Sequence, residues 1–239
     1  MTTIETRLEE VRARIARACA IAARPVDSVT LLAVSKTQPA DAVRRAFAAG
    51  QRAFGENYVQ EALDKIAALG DLRSTAATAS IEWHLIGPLQ ANKTRAVAEH
   101  FDWVHSIDRL KLAERLSAQR PTHLAPLQVC LQINISGEAS KSGVAPALAL
   151  PLAQAVAKLP GLRLRGLMAI PEPAETMARQ RAPHRALREL LQQVRESGLA
   201  LDTLSMGMSA DLEAAVLEGA SLVRIGTALF GARTPRSVP

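Results

Sequence analysis

Short apolar runs and longer amphipathic stretches alternate along almost the whole chain. A first stretch from Thr3 to Ala23 carries charged and apolar residues at helical spacing. Apolar runs then fall at 29–35, 52–54, 82–86, 102–105, 127–133, 163–168, 201–205 and 222–225, and each has the length of a strand. The intervals 39–49, 57–69, 89–99, 108–118, 145–158, 175–197 and 209–218 show helical periodicity. Strands and helices in alternation predict a parallel sheet. Eight strands in 239 residues, close to the ~250 typical of the fold, predict an α/β chain that closes as a single (β/α)8 TIM barrel, with a doubly wound open sheet as the alternative. No Pro/Gly/Ser-rich linker divides the chain. The expected layout is one barrel over 1–231 with an N-terminal helix, and a tail over 232–239 that frays, having two prolines and no periodicity.

Composition narrows the reading. At 48% apolar and 22% charged residues the chain is globular, and its apolar runs fall far short of the ~20 residues that cross a bilayer. Aromatics are only 3%, so Leu, Val, Ile and Ala must fill the core, and a stacking platform for single-stranded nucleic acid is not expected. The charge, 29 − 23 = +6, forms no basic run; in 7–17 and 179–195 it alternates with Glu or apolar residues as on a solvated helix face. No nucleic-acid partner and no membrane partner are expected. Cys19 and Cys130 both lie in apolar surroundings and read as buried free thiols, which with no signal segment points to the cytoplasm.

In a barrel the chemistry sits at the C-terminal ends of the strands. Those ends read Ser35-Lys36-Thr37, Gly55-Glu56-Asn57, His84 with Gly87, His105-Ser106, Asn134, Met168, Met206-Gly207-Met208-Ser209 and Arg224-Ile225-Gly226-Thr227. Lys36 leaves an apolar strand. A free lysine is only ~0.04% neutral at pH 7, and partial desolvation would make it a usable amine; a strand-end lysine pointing to solvent is the alternative. The loops after strands seven and eight are where such barrels frequently bind phosphate. Here they offer glycines that let backbone N–H groups approach an anion, and the hydroxyls of Ser209 and Thr227. Ser209 could instead cap helix 209–218. Asp211 and Glu213 would repel an anion and must therefore point outward. A lysine opposite a phosphate cradle suggests a ligand with both an aldehyde and a phosphate, and pyridoxal 5'-phosphate has both.

The motifs Ala33-Val34-Ser35-Lys36-Thr37, Phe54-Gly55-Glu56-Asn57-Tyr58-Val59-Gln60-Glu61, Trp83 to Lys93, Met206 to Asp211 and Val223-Arg224-Ile225-Gly226-Thr227 resemble, in order and over nearly the whole chain, the pyridoxal 5'-phosphate homeostasis protein family. The resemblance implies a barrel like the N-terminal domain of alanine racemase, of fold type III among pyridoxal phosphate proteins. It also implies covalent pyridoxal 5'-phosphate on Lys36 as a Schiff base, phosphate contacts from Ser209, Gly226 and Thr227, Arg224 near the pyridine nitrogen, and Asn57 and His84 lining the site. Leu85 stands where the family more often has Phe or Met, and Arg181 where an aromatic is usual; the first bears on packing beneath His84, the second only on an outer helix.

An arginine at the pyridine nitrogen disfavours its protonation and weakens carbanion chemistry. Racemases of the related fold, the resemblance implies, take a second acid/base tyrosine from an added domain, whereas this chain has a single tyrosine, Tyr58, at the start of a helix. The favoured reading is therefore a non-catalytic carrier or buffer of the cofactor, monomeric, in transient contact with apoenzymes that depend on it; a racemase of low activity is the alternative. The five histidines show no metal-ligand spacing. Segment 137–143, with Lys141 as a second amine, reads as a solvated turn rather than a lid.

Overall fold

The computed structural model describes residues 3–73, 80–137 and 142–231. The tail 232–239 and Lys141 lie outside the described residues.

The eight strands close as predicted. They are β1 (Thr30–Val34), β2 (Ala53–Glu56), β3 (Glu82–Leu85), β4 (Trp103–Ile107), β5 (Leu127–Gln132), β6 (Leu162–Met168), β7 (Thr203–Ser205) and β8 (Leu222–Ile225). All neighbours are parallel, and β1 pairs with both β2 and β8, so the sheet is a closed barrel in sequence order. The outer ring is α1 (Ile4–Ile21), α2 (Ala40–Ala48), α3 (Val59–Ala68), α4 (Thr94–His100), α5 (Leu110–Gln119), α6 (Ala149–Val156), α7 (Met177–Glu196), α8 (Leu212–Leu217) and α9 (Thr227–Phe230). No helix among the described residues is long and apolar enough to cross a membrane.

Alternation along the strands divides the core. Leu31 and Ala33 of β1 face the helices and join the large cluster that fills the shell, whereas Leu32 faces inward in register with Arg224. Inside the barrel Leu32, Ala53, Ile86 and Leu222 form a small apolar cluster. Across from it the interior is polar, with His84, His105, Ser205 and Arg224 all buried. Helix α1 buries Leu8, Val11, Ile15, Ala18 and Cys19 at helical spacing and packs against α2, α8 and α9, covering the line where first and last strands meet. Burying each of its large aliphatic side chains contributes about 1.5–3 kcal/mol.

Several helices begin later than their periodicity suggests, and for three of them the structure shows why. The apolar signal at Leu89 is real, but Leu89 is buried within a segment that turns helical only after Gln90. Asn57 stays outside α3 because the chain there packs against Gly87, where an added Cβ would stand 2.2 Å from the Asn57 carbonyl oxygen. Helix α8 starts at Leu212 rather than 209, because Asp211 Oδ1 accepts the Met208 N–H at 2.7 Å and closes a turn first.

Candidate functional site

A cavity of about 290 Å3 opens at the C-terminal mouth of the barrel, at the small end of the ~300–1,000 Å3 of small-molecule sites. Val34, Lys36, Asn57, Ile86, Ile170, Met208, Ser209, Ala210, Arg224, Gly226 and Thr227 line it. Six of the seven site residues expected from the sequence thus meet at one opening. An adjoining cavity of about 290 Å3 shares Asn57, Ile86 and Ile170, and continues to Gln132, Asn134 and Ser142.

The seventh residue, His84, lies elsewhere. Its ring is buried, stacked on Trp103 with centroids 5.2 Å apart, and its Nδ1 is 2.9 Å from His105 Nε2. It belongs to the polar layer beneath the cavity. His105 Nδ1 in turn lies 2.8 Å from Ser205 Oγ. Burial first, then His84 and Arg224, hold the His105 imidazole well below its ordinary pKa. Leu85, next in the chain, is fully buried and faces the helices with the main core.

Arg224 is fixed by the backbone around it. Its Nη1 donates to the Ser205 carbonyl at 2.6 Å and to Ser205 Oγ at 2.9 Å, and its Nη2 donates to the Ala169 carbonyl at 2.9 Å. Burial pushes its guanidinium down to about 10, with Asp211 opposing, so it remains a cation at neutral pH. Those contacts leave donors on Nε and Nη2 with no acceptor among the described residues, in a residue that lines the cavity.

The loop carrying Lys36 rests on a buried ionic cluster that sequence reasoning missed. Lys65 Nζ, from α3, donates to the Ser35 carbonyl at 2.6 Å, to Glu56 Oε1 at 2.7 Å and to Glu61 Oε1 at 2.9 Å, while Ser35 Oγ donates to the same Glu56 oxygen at 2.6 Å. Glu61 Oε1 also accepts the Thr37 N–H, and Thr37 takes the left-handed backbone conformation, φ 65°. Such a conformation persists in a non-glycine residue only when its surroundings impose it. Burial raises the Glu56 pKa, and Lys65 works against that rise. The signal available in the sequence was the i,i+4 pair Glu61 and Lys65 on the face of α3 that packs on β2.

The opposite wall is held from outside. Glu213 does point outward, to Arg14 of α1 in a bidentate pair, and Arg14 also takes the Ser209 carbonyl at 3.0 Å. Asp211 instead is buried: its two oxygens accept the Met208 N–H and pair with His184 Nε2 at 2.9 Å. Burial opposes its ionisation, but the bonds from His184 and Met208 outweigh it and lower the pKa. Gly207, at φ +91°, brings this turn so close to α8 that an added Cβ would lie 2.4 Å from the Ala215 Cβ. Arg181 pairs with the buried Glu218 on the outer helices, away from the cavity. Both cysteines are buried and free, and burial pushes the Cys130 thiol up to about 12. Among the described residues no group of three or more His, Cys, Asp or Glu side chains could hold a metal ion.

A closed parallel barrel with a lysine after its first strand and two glycine-bearing turns after its last two defines a class, and the alanine racemase N-terminal domain family matches residues 6–234. An alanine racemase from Corynebacterium glutamicum shares the fold, with a TM-score of 0.66 at 19% identity, over 97% of this chain and 63% of that one. Within that class the chain belongs to the pyridoxal phosphate homeostasis protein family. It is 62% identical to the pyridoxal phosphate homeostasis protein of Pseudomonas aeruginosa over 98% of this chain and 97% of that protein, and 53% identical to that of Escherichia coli strain K12 over 98% of each. The structure of PipY from Synechococcus elongatus with pyridoxal phosphate bound is 40% identical, covering 96% of this chain and all of that one, with a TM-score of 0.82.

Proposed function

We propose that this chain binds pyridoxal 5'-phosphate at the mouth of the barrel, covalently and reversibly through Lys36, and contributes to holding and distributing the cofactor in the cell. One observation carries the proposal: Lys36 lines the same cavity as Ser209, Gly226, Thr227 and Arg224. An amine and anion-binding turns therefore share one small opening, matching a ligand with an aldehyde at one end and a phosphate at the other. The unused Arg224 donors fit a ring nitrogen that accepts. Asn57 Oδ1, buried without a hydrogen-bond partner, supplies an acceptor.

Bound there, the cofactor supplies an aldehyde that condenses reversibly with an amine. Lys36 presents that amine, on a loop set by Lys65 and Glu61. Ser209 and Thr227 bring hydroxyls, and the chain at Gly226 brings its backbone, to the phosphate. Arg224, cationic and donor-only, favours an unprotonated ring nitrogen. Tyr58, the chain's one tyrosine, is exposed and lines neither cavity at the mouth, which favours a carrier over a two-base racemase.

The test is to add the cofactor to the purified chain, reduce with borohydride and map the adduct by peptide mass. A yellow protein with the fixed mass on Lys36, lost in Lys36→Ala, is expected. An adduct spread over other lysines with Lys36 unmodified refutes the reading. Chiral product formed from single amino acids, and abolished by the same substitution, refutes the carrier role.

A further inference from the structure

A line of polar side chains runs through the barrel interior from its N-terminal end toward the cavity, hydrogen-bonded from His84 onward. It begins at Glu82, the first residue of β3, whose half-exposed carboxylate lies 3.6 Å from His84 Nε2. His84 Nδ1 meets His105 Nε2 at 2.9 Å, His105 Nδ1 meets Ser205 Oγ at 2.8 Å, and Ser205 Oγ accepts from Arg224 Nη1 at 2.9 Å. The Arg224 end sets the direction, because a guanidinium only donates and Ser205 Oγ has, besides Arg224, no partner but His105 among the described residues, while the nearby Glu82 carboxylate favours an N–H on the His84 nitrogen that faces it. Ser205, having accepted from Arg224, passes its own O–H to His105 Nδ1. His105 must then carry its proton on Nε2 and donate to His84 Nδ1. His84 in turn carries its proton on Nε2, facing Glu82. In the opposite polarity the bare Nε2 lone pair of His84 would face a carboxylate.

We propose that His105, with Ser205 and His84, is a positioning residue for Arg224: a one-way hydrogen-bond relay through two imidazoles that fixes the guanidinium with its spare donors toward the cavity. A ring nitrogen placed there would meet a rigid donor. That ring contact rests on the pyridoxal phosphate reading; the relay itself does not. The charged and titratable groups around the imidazoles are Glu82 on β3, Cys130 on β5, Arg165 on β6, whose guanidinium lies over the Trp103 ring, and Arg224 on β8. Two of these are cations, and His105 has no access to water, and both features disfavour an imidazolium at His105.

The relay is read directly in the cofactor-free protein by long-range 1H–15N correlation of the histidine side chains. His105 is expected as the neutral Nε2–H tautomer throughout roughly pH 5–8, where free histidine titrates, with a proton on His84 Nε2. An Nδ1–H tautomer or an imidazolium at His105 in that window overturns the relay even if the cofactor binds. For the link to the site, Ser205→Ala should weaken cofactor affinity about tenfold, as expected for one lost hydrogen bond to a charged group, and shift the absorption maximum of the bound cofactor, with Ser205→Thr restoring both. Glu82→Leu, at the far end and half exposed, should mix the histidine tautomers without unfolding the chain. Unchanged affinity and spectrum in Ser205→Ala overturn the positioning role. Failure of the unmodified chain to bind the cofactor rejects the proposed function and leaves the tautomer measurement to decide the relay.

Discussion

Replacing Lys65 by Met tests how the loop that carries Lys36 is held. The ammonium of Lys65 and the carboxylate of Glu56 have side chains 6% and 0% exposed. Water cannot take over the role of either. Removing one partner of a buried pair costs about 3–5 kcal/mol. Glu56 can escape part of that cost by taking a proton, since burial already raises its pKa and the loss of Lys65 removes the main opposing influence. A carboxyl whose folded pKa lies above its unfolded value contributes stability below the unfolded pKa, ~4.3, and loses it as pH rises through the folded one. The deficit of Lys65→Met should therefore be small near pH 5 and grow toward pH 8, by at most about 1.4 kcal/mol per pH unit for the single proton. At pH 8 the full deficit corresponds to a fall in Tm of about 6–20 °C for a chain of this length. Urea unfolding at pH 5 and pH 8, followed by the fluorescence of Trp83 and Trp103, reads the difference. A variant within about 1 kcal/mol of the parent at pH 8 would refute the buried-pair assignment, as would a deficit larger at pH 5. Lys65→Met combined with Glu56→Met should recover most of the loss, because neither charge is then stranded.

Two further perturbations probe the opposite wall. Gly207→Ala imposes a side chain at φ +91° and drives its Cβ into Ala215, so urea denaturation should show a loss of about 2–5 kcal/mol; a loss under 1 kcal/mol would mean that the turn does not need glycine. Asp211→Ala leaves the Met208 N–H and His184 unpaired and should cost about 1–3 kcal/mol at pH 7. Because the Asp211 pKa is lowered in the folded state, its contribution is present above its unfolded value near ~3.9 and fades as pH falls through the folded one. The gap between parent and variant should accordingly narrow in acid, and a gap that widens there contradicts the assignment.

Much of this molecule was legible in its residues because a parallel barrel buries both faces of every strand. Runs such as Leu31 to Val34 and Leu222 to Ile225 stand out against amphipathic helices for that reason alone. The mouth was legible too, since the fold specifies which strand ends carry chemistry, and Lys36, Ser209 and Thr227 sit at those ends. What could not be read was anything set by contacts between distant segments. Lys65 looks like any surface lysine of an amphipathic helix, and only the packing of α3 on β2 shows that its ammonium is inside. His84 stands at a strand end in sequence, yet its inward direction and the ring of Trp103 place it under the cavity rather than in its wall. Asp211 was expected to point away from an anion. It is instead turned into the protein and engaged by a backbone N–H and a histidine, so its charge is occupied beside the turn in a way that periodicity does not encode.

Lys36 follows the first strand and the turns bearing Ser209 and Thr227 follow the last two, so most of the polypeptide separates them and the pairing of Thr30–Ala33 with Leu222–Ile225 closes the ring that brings them together. If Lys36 and these turns hold the cofactor as proposed, a nascent chain would present Lys36 without a phosphate site and would become competent to capture the ligand when that final seam closes. Occupancy would then act as a rivet across the joint, raising the energy of any fluctuation that parts it in proportion to the logarithm of free ligand over Kd. Scarcity of the vitamin would be felt first as a looser seam, before any change elsewhere in the ring.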